Sequence, residues 1–155
     1  MTLVGDLRAG RLNAARSEAD RIVFRHRLPG GQLLIHIVRI RFTTGSRVLV
    51  DSNPSNFAVD GPSVRLRRHD GTLLGILKVS IQDLRGYVKY VHDLFHFNLV
   101  TGGQPGMLPS LPALPRGPLP ASGCVRIRGV TYAVRSFSEL SFVGQPLTVW
   151  VLGTN

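Results

Sequence analysis

The sequence predicts an α+β fold: an antiparallel sheet of about five to six strands, with a long N-terminal helix and a second helix packed against it. Three observations predict it. Two segments repeat their apolar residues at helical spacing, and short Ile- and Val-rich runs alternate with turn residues. The elements also come in the order helix, hairpin, hairpin, helix and then a run of strands, which favours antiparallel pairing.

The first helix spans residues 6 to about 27. Leu12, Ala15, Ala19, Ile22, Val23 and His26 form its apolar stripe, and Arg8, Arg11, Arg16, Glu18 and Arg25 its wet side. Leu28-Pro29-Gly30-Gly31 stops it, since a proline disfavours helix at the preceding residue. A hairpin follows over 33–42 and 47–50, turning at Thr44-Gly45-Ser46. Alternation places His36, Val38, Ile40 and Phe42 on one face and Arg39 and Arg41 on the other. Residues 51–62 read as a loop. A second hairpin runs through 63–69, turns at Asp70-Gly71 and returns through 72–81.

Leu84, Tyr87, Val88, Val91, Leu94 and Phe95 make the second helical stripe, with Asp83 as N-cap and Arg85, Lys89, His92 and His96 on the opposite side. A short strand over 97–100 comes next, then a proline-rich connection over 102–123. The final strands are 124–128, 131–137 and 147–152. No internal repeat or second boundary is evident, so residues 1–155 read as one domain, a size that buries roughly two thirds of its unfolded surface.

The formal charge is +10, with 17 Arg against 2 Lys. Such a balance suits polyanions, an anionic small ligand or an acidic membrane surface. The arginines are nevertheless dispersed, and the densest group, Arg65, Arg67 and Arg68, is short. Cys124 is the single cysteine, so no intramolecular disulfide forms. No run reaches the roughly 20 apolar residues of a membrane helix, and no leader opens the chain. The chain therefore reads as an excised fragment of a larger protein.

Catalytic patterns are absent. His92-Asp93-Leu94-Phe95-His96 sets two imidazoles one turn apart, but Asp replaces the Glu of a zincin helix and no third ligand follows. No Gly-x-Ser-x-Gly elbow or phosphate-cradling glycine loop occurs. We expect no enzyme, metal or cofactor. The segment Leu108-Pro109-Ser110-Leu111-Pro112 has polyproline-ligand spacing, but such patterns are common by chance and a rigid inter-strand connection is the favoured reading. For a pocket on the sheet, the polar candidates are Arg65, Arg67, Tyr87, Tyr132 and Arg135, because Arg with Tyr can hold a carboxylate by charge-assisted hydrogen bonds.

The run Ile35-His36-Ile37-Val38-Arg39-Ile40-Arg41-Phe42, with Gly45 and Val48-Leu49-Val50-Asp51 after it, resembles the first hairpin of Cache domains, the PAS-like sensors of bacterial receptors. Gly71-Thr72-Leu73-Leu74-Gly75-Ile76-Leu77 is similar to a strand of that family, and Gln82-Asp83 with Gly86-Tyr87 resembles an actinobacterial variant. The stretches 125–134 and 146–152 look like its closing strands. The resemblance implies an extracytoplasmic domain of a plasma-membrane protein. Such a domain senses a small molecule and passes the signal to a cytoplasmic output domain of the same chain; no ligand class carries over from the resemblance, the positive charge suits an anionic small-molecule ligand, and a homodimer is a further expectation. It departs from the family in its proline-rich loop and in lacking the Tyr, Arg and Trp-Tyr pattern of amino-acid-binding members. The alternatives are a basic nucleic-acid-binding domain and a ligand-free structural or dimerising module.

Overall fold

A computed structural model describes residues 2–24, 37–54, 57–103, 107–111 and 118–154. The elements are α1 (Leu3–Arg8), α2 (Leu12–Phe24), β1 (Arg39–Thr44), β2 (Arg47–Ser52), β3 (Ser63–Arg67), β4 (Leu73–Ser80), α3 (Leu84–Phe95), β5 (Asn98–Gly103), β6 (Leu108–Pro109), β7 (Ser122–Ile127), β8 (Val130–Leu140) and β9 (Pro146–Thr154). The α+β class is thus as expected, but the single sheet is not. There are two antiparallel sheets, of four strands in the order β2-β1-β4-β3 and five in the order β6-β5-β9-β8-β7. The chain divides into two compact units, Met1–Gln82 and Asp83–Asn155, where the sequence suggested no boundary. Periodicity identifies a strand but not its partner, and here each run of strands pairs within itself.

In the first unit the N-terminal helix is broken. Gly10 adopts φ +71°, a left-handed conformation that glycine reaches without strain, and separates α1 from α2. Thr2 caps α1 through Oγ1, which accepts from the Gly5 amide. Leu3 and Leu7 of α1 and Ala15, Ala19 and Val23 of α2 pack against Ile40, Phe42, Val50, Leu66 and Leu77 of the sheet. The two alanines are fully buried, and their small side chains let the helix lie close on the strands. The continuation of the predicted helix to residue 27, His26 in its stripe and the start of the first strand at 33–36 fall outside the described residues.

Both hairpins of this unit form at the predicted turns, and their partner strands are joined by β1 and β4. Gly75 allows β4 to run against β1: a Cβ there would lie 2.1 Å from the Thr43 carbonyl oxygen. Arg39, on the strand face opposite Ile40 and Phe42, is nevertheless only 5% exposed. Its Nε and Nη2 donate to the two oxygens of Asp51 at 2.8 and 2.7 Å, a forked pairing that compensates the lost hydration.

In the second unit α3 covers one face of the five-stranded sheet. Tyr87, Val88 and Val91 pack with Leu99, Val149 and Val151. Asp83 caps the helix as predicted, accepting from the Gly86 amide at 2.5 Å. Leu94 and Phe95 belong to the same stripe but are 55% and 58% exposed, because the last turn of the helix extends past its packing partners. The opposite face buries Val100, Val134 and Leu152 beneath Leu111 and Leu119, which come from the proline-rich connection.

Candidate anion-binding site

The five candidate residues do not gather in one place. Arg65 and Arg67 lie on β3 and are exposed; Arg67 Nη1 donates to the Gly71 carbonyl at 2.8 Å. Tyr87 is half-buried in the α3 contact, and Tyr132 is half-buried among the residues on the opposite face of the same sheet. Arg135 is exposed and, three residues along β8 from Tyr132, points to the other side of the strand. Thus in the second unit the two tyrosines are separated by the sheet itself.

The first unit holds an open surface pocket of about 330 Å³ lined by Arg8, Arg68, His69 and Asp70, all of them exposed. Its two sides are fixed by local structure. Leu3 and Leu7 anchor α1 in the core alongside Leu66, so Arg8 in the last turn of α1 comes beside the β3–β4 turn that follows Leu66. A cation at a helix C-terminus is also favoured by the helix dipole.

The turn is tightly built. The Gly71 amide donates to the Arg68 carbonyl at 3.1 Å, the Arg68 amide donates to Thr72 at 2.9 Å, and Gly71 takes φ +84°. His69 and Asp70 occupy the central positions, where the side chains project outward. Asp70 Oδ1 accepts from the Thr72 amide at 2.9 Å. That backbone hydrogen bond, with further help from the Thr72 side chain and the Arg68 charge, holds the carboxyl below its ordinary value.

The electrostatics of this unit are lopsided. Each described acid is already engaged: Asp6 by Arg11, Glu18 by Arg21, Asp20 by Ser52, Asp51 by Arg39 and Arg41, Asp60 by Lys78, and Asp70 by Thr72. Arg8, Arg47, Arg65 and Arg68 make no side-chain hydrogen bond or ion pair with a described residue. Two of these four residues, Arg8 and Arg68, line the pocket.

The sequence marks Arg68 within the arginine cluster and Asp70 within the turn, but places Arg8 on a solvated helix face. Among the described residues no three His, Cys, Asp or Glu side chains cluster as metal ligands. His92 and His96 are both exposed, and His96 ends α3 in a left-handed conformation at φ 55°. Among the described residues no helix is long and apolar enough to cross a membrane. No family model, curated protein or solved structure matches the chain.

Proposed function

We propose that the chain is a non-catalytic binding module for a small anionic ligand, held by Arg8 and Arg68 with His69 at the rim. The observation that carries this reading is that Arg8 and Arg68, which make no side-chain hydrogen bond with a described residue, both line one open surface pocket in a unit whose described acids are all engaged. Guanidinium forks suit oxyanions, and two of them from separate elements fix the orientation of an anion between them. Bound there, a ligand would tie α1 to the β3–β4 hairpin and so stabilise one arrangement of the two over others, which is how binding becomes a signal.

The fuller version, a Cache-type extracytoplasmic sensor relaying to a cytoplasmic output domain or acting as a homodimer, rests on the sequence resemblance. Two sheets in place of one leave that resemblance to the helix and hairpin order of the first unit.

The test is isothermal titration and thermal shift with phosphate, sulfate and small carboxylates at fixed chloride. A ligand at a hundred times its Kd should stabilise by about 2.7 kcal/mol. Arg8→Ala and Arg68→Ala should each abolish most of this without unfolding the chain. Stabilisation by none of these anions, or stabilisation untouched by both substitutions, would refute the reading. A nucleic-acid function is favoured by one further observation, that Arg47 and Arg65 also make no side-chain hydrogen bond or ion pair with a described residue. It requires oligonucleotide binding that weakens steeply with salt, by about 0.9 in log–log slope per phosphate contacted on duplex DNA. Undetectable binding at low salt removes it.

A further inference from the structure

The five-stranded sheet ends on β7. Independently of the anion-binding reading, we infer that this edge pairs antiparallel with the same edge of a second copy of the chain, across a two-fold axis at Cys124. The backbone sets the place. Ser136 donates its amide to the Ala121 carbonyl at 2.8 Å, and Ser122 lies opposite Arg135. In an antiparallel ladder the direction of these groups alternates, so Gly123, Val125 and Ile127 turn theirs toward β8. Ser122, Cys124 and Arg126 turn theirs outward, where no described strand receives them. Such a row of amides and carbonyls is a template for another strand.

Natural sheets blunt their edges with bulges, charges, prolines or very short strands, and the other three edges here are blunted in these ways. β2 bulges at Leu49, whose carbonyl accepts from Arg16 Nε at 3.1 Å. The β3–β4 pairing slips between Leu66 and Arg67, and β3 exposes Arg65 and Arg67. β6 is two residues long and ends in Pro109. By contrast, β7 keeps an unbroken register over six residues and contains no proline. It exposes Ser122, Gly123 and Cys124, whose small side chains let another backbone approach. Its one charge is turned along its own hairpin: Arg126 Nε donates to the Gly129 carbonyl at 3.3 Å.

A second copy fits this edge because the edge is complementary to itself. Two-fold pairing about Cys124 sets Ser122 of each copy opposite Arg126 of the other, and Cys124 opposite Cys124. All three outward-facing residues then exchange both backbone hydrogen bonds, and no like charges stand opposite one another. Moving the axis toward Ile127 leaves the Ser122 groups unpaired and then opposes the two Arg126 side chains. Moving it toward Ser122 strands the Arg126 amide and carbonyl. The product is one continuous sheet made from two five-stranded ones. A single strand pair is a small contact, of the kind that forms and dissolves with concentration.

The experiment is sedimentation equilibrium of the full chain under reducing conditions. Between about 10 μM and about 1 mM the wild type should show a reversible dimer. Cys124→Lys sets two ammonium groups face to face at the axis and should weaken the dimer about tenfold or more. Cys124→Pro deletes an outward-facing amide while leaving the ladder to β8 whole, and should have a similar effect. Ala133→Lys places the same charge opposite Cys124 on β8, away from the edge, and should change the dissociation constant by no more than about twofold. Thermal melts followed by Trp150 fluorescence verify that each variant is folded, and if one Cys124 variant unfolds the other decides. A wild type that stays monomeric throughout would overturn the inference. So would a dimer that a folded Cys124 variant retains, or one that Ala133→Lys weakens equally, since either places the contact on another surface.

Discussion

Arg11 reaches back across the Gly10 turn and donates from both Nε and Nη2, at 2.9 and 2.7 Å, to the same Oδ1 of Asp6. The carboxylate is buried, 3% exposed, whereas the guanidinium is half in water. The Arg11 amide also donates to the Asp6 carbonyl at 2.9 Å, so backbone and side chain close one loop. This fixes the angle at which α1 leaves α2, and with it the position of Arg8.

Arg11→Ala should therefore cost the first unit about 1–3 kcal/mol, because it strands a buried carboxylate; full exposure of the guanidinium would have made the loss smaller. Arg11→Lys should recover only part, having no fork. Trp150, the single tryptophan, lies in the second unit, so amide hydrogen exchange of β1 and β4 is the suitable readout. Loss of anion binding alongside the stability loss would tie the clamp to the site.

Gly75 and Gly71 separate two reasons for glycine. At Gly75 a Cβ would meet the Thr43 oxygen at 2.1 Å and the Phe42 ring at 2.8 Å, so Gly75→Ala must push β1 and β4 apart. At Gly71 the space is open and only φ +84° opposes a side chain. Gly71→Ala should cost about 1–2 kcal/mol. Gly75→Ala should cost as much or more, and it alone should speed exchange along β1. Equal behaviour of the two would mean the close approach is relieved by a small shift.

Thr101 is buried on β5 with a hydroxyl that has no hydrogen-bond partner among the described residues. Such a group costs about 1–3 kcal/mol, and valine has nearly its shape without the polar atom. Thr101→Val should accordingly raise the stability of the second unit by about 1 kcal/mol, measured by urea denaturation followed through Trp150 fluorescence. A decrease would show that the hydroxyl is satisfied after all.

What was legible in the sequence follows from how local each signal is. Asp83 and the 3.6-residue stripe after it specify α3 within a dozen residues, and Asp70-Gly71 specifies its hairpin within four, so both were readable. The burial of Arg39 was not, because its partner Asp51 belongs to the next strand and alternation alone assigns arginine to water. Nor was the split into two sheets, which depends on β4 returning to β1 and β5 pairing with β9. The candidate site combines both cases. Arg68 and Asp70 lie within one turn and attracted attention, while Arg8, some 60 residues away in the chain, joins them only through the packing of Leu7 near Leu66. The helix break beside Arg8 depends on the left-handed conformation of Gly10, which the helical spacing after it does not reveal.

Asp60 gives the last prediction, a pH dependence with a defined sign. Partial burial pushes its pKa up, but the hydrogen bond and charge of the Lys78 ammonium, together with the Gly61 amide at 2.8 Å, outweigh this and hold it below the ordinary 3.8. A carboxyl with a depressed folded pKa contributes stability that is complete above the unfolded value and is lost as pH falls through the folded one. The difference in stability between wild type and Asp60→Asn should then be constant from neutral pH down to about 5 and shrink below about 4. Both side chains are substantially hydrated, 25% and 39% exposed, so the whole contribution is below about 1 kcal/mol and should weaken with added salt. Lys78→Met should leave a smaller acid-sensitive part, since the Gly61 amide still favours the ionised form. A difference between wild type and Asp60→Asn that persists undiminished below the folded pKa would mean that Asp60 acts through its shape and hydrogen bonding and not through its charge.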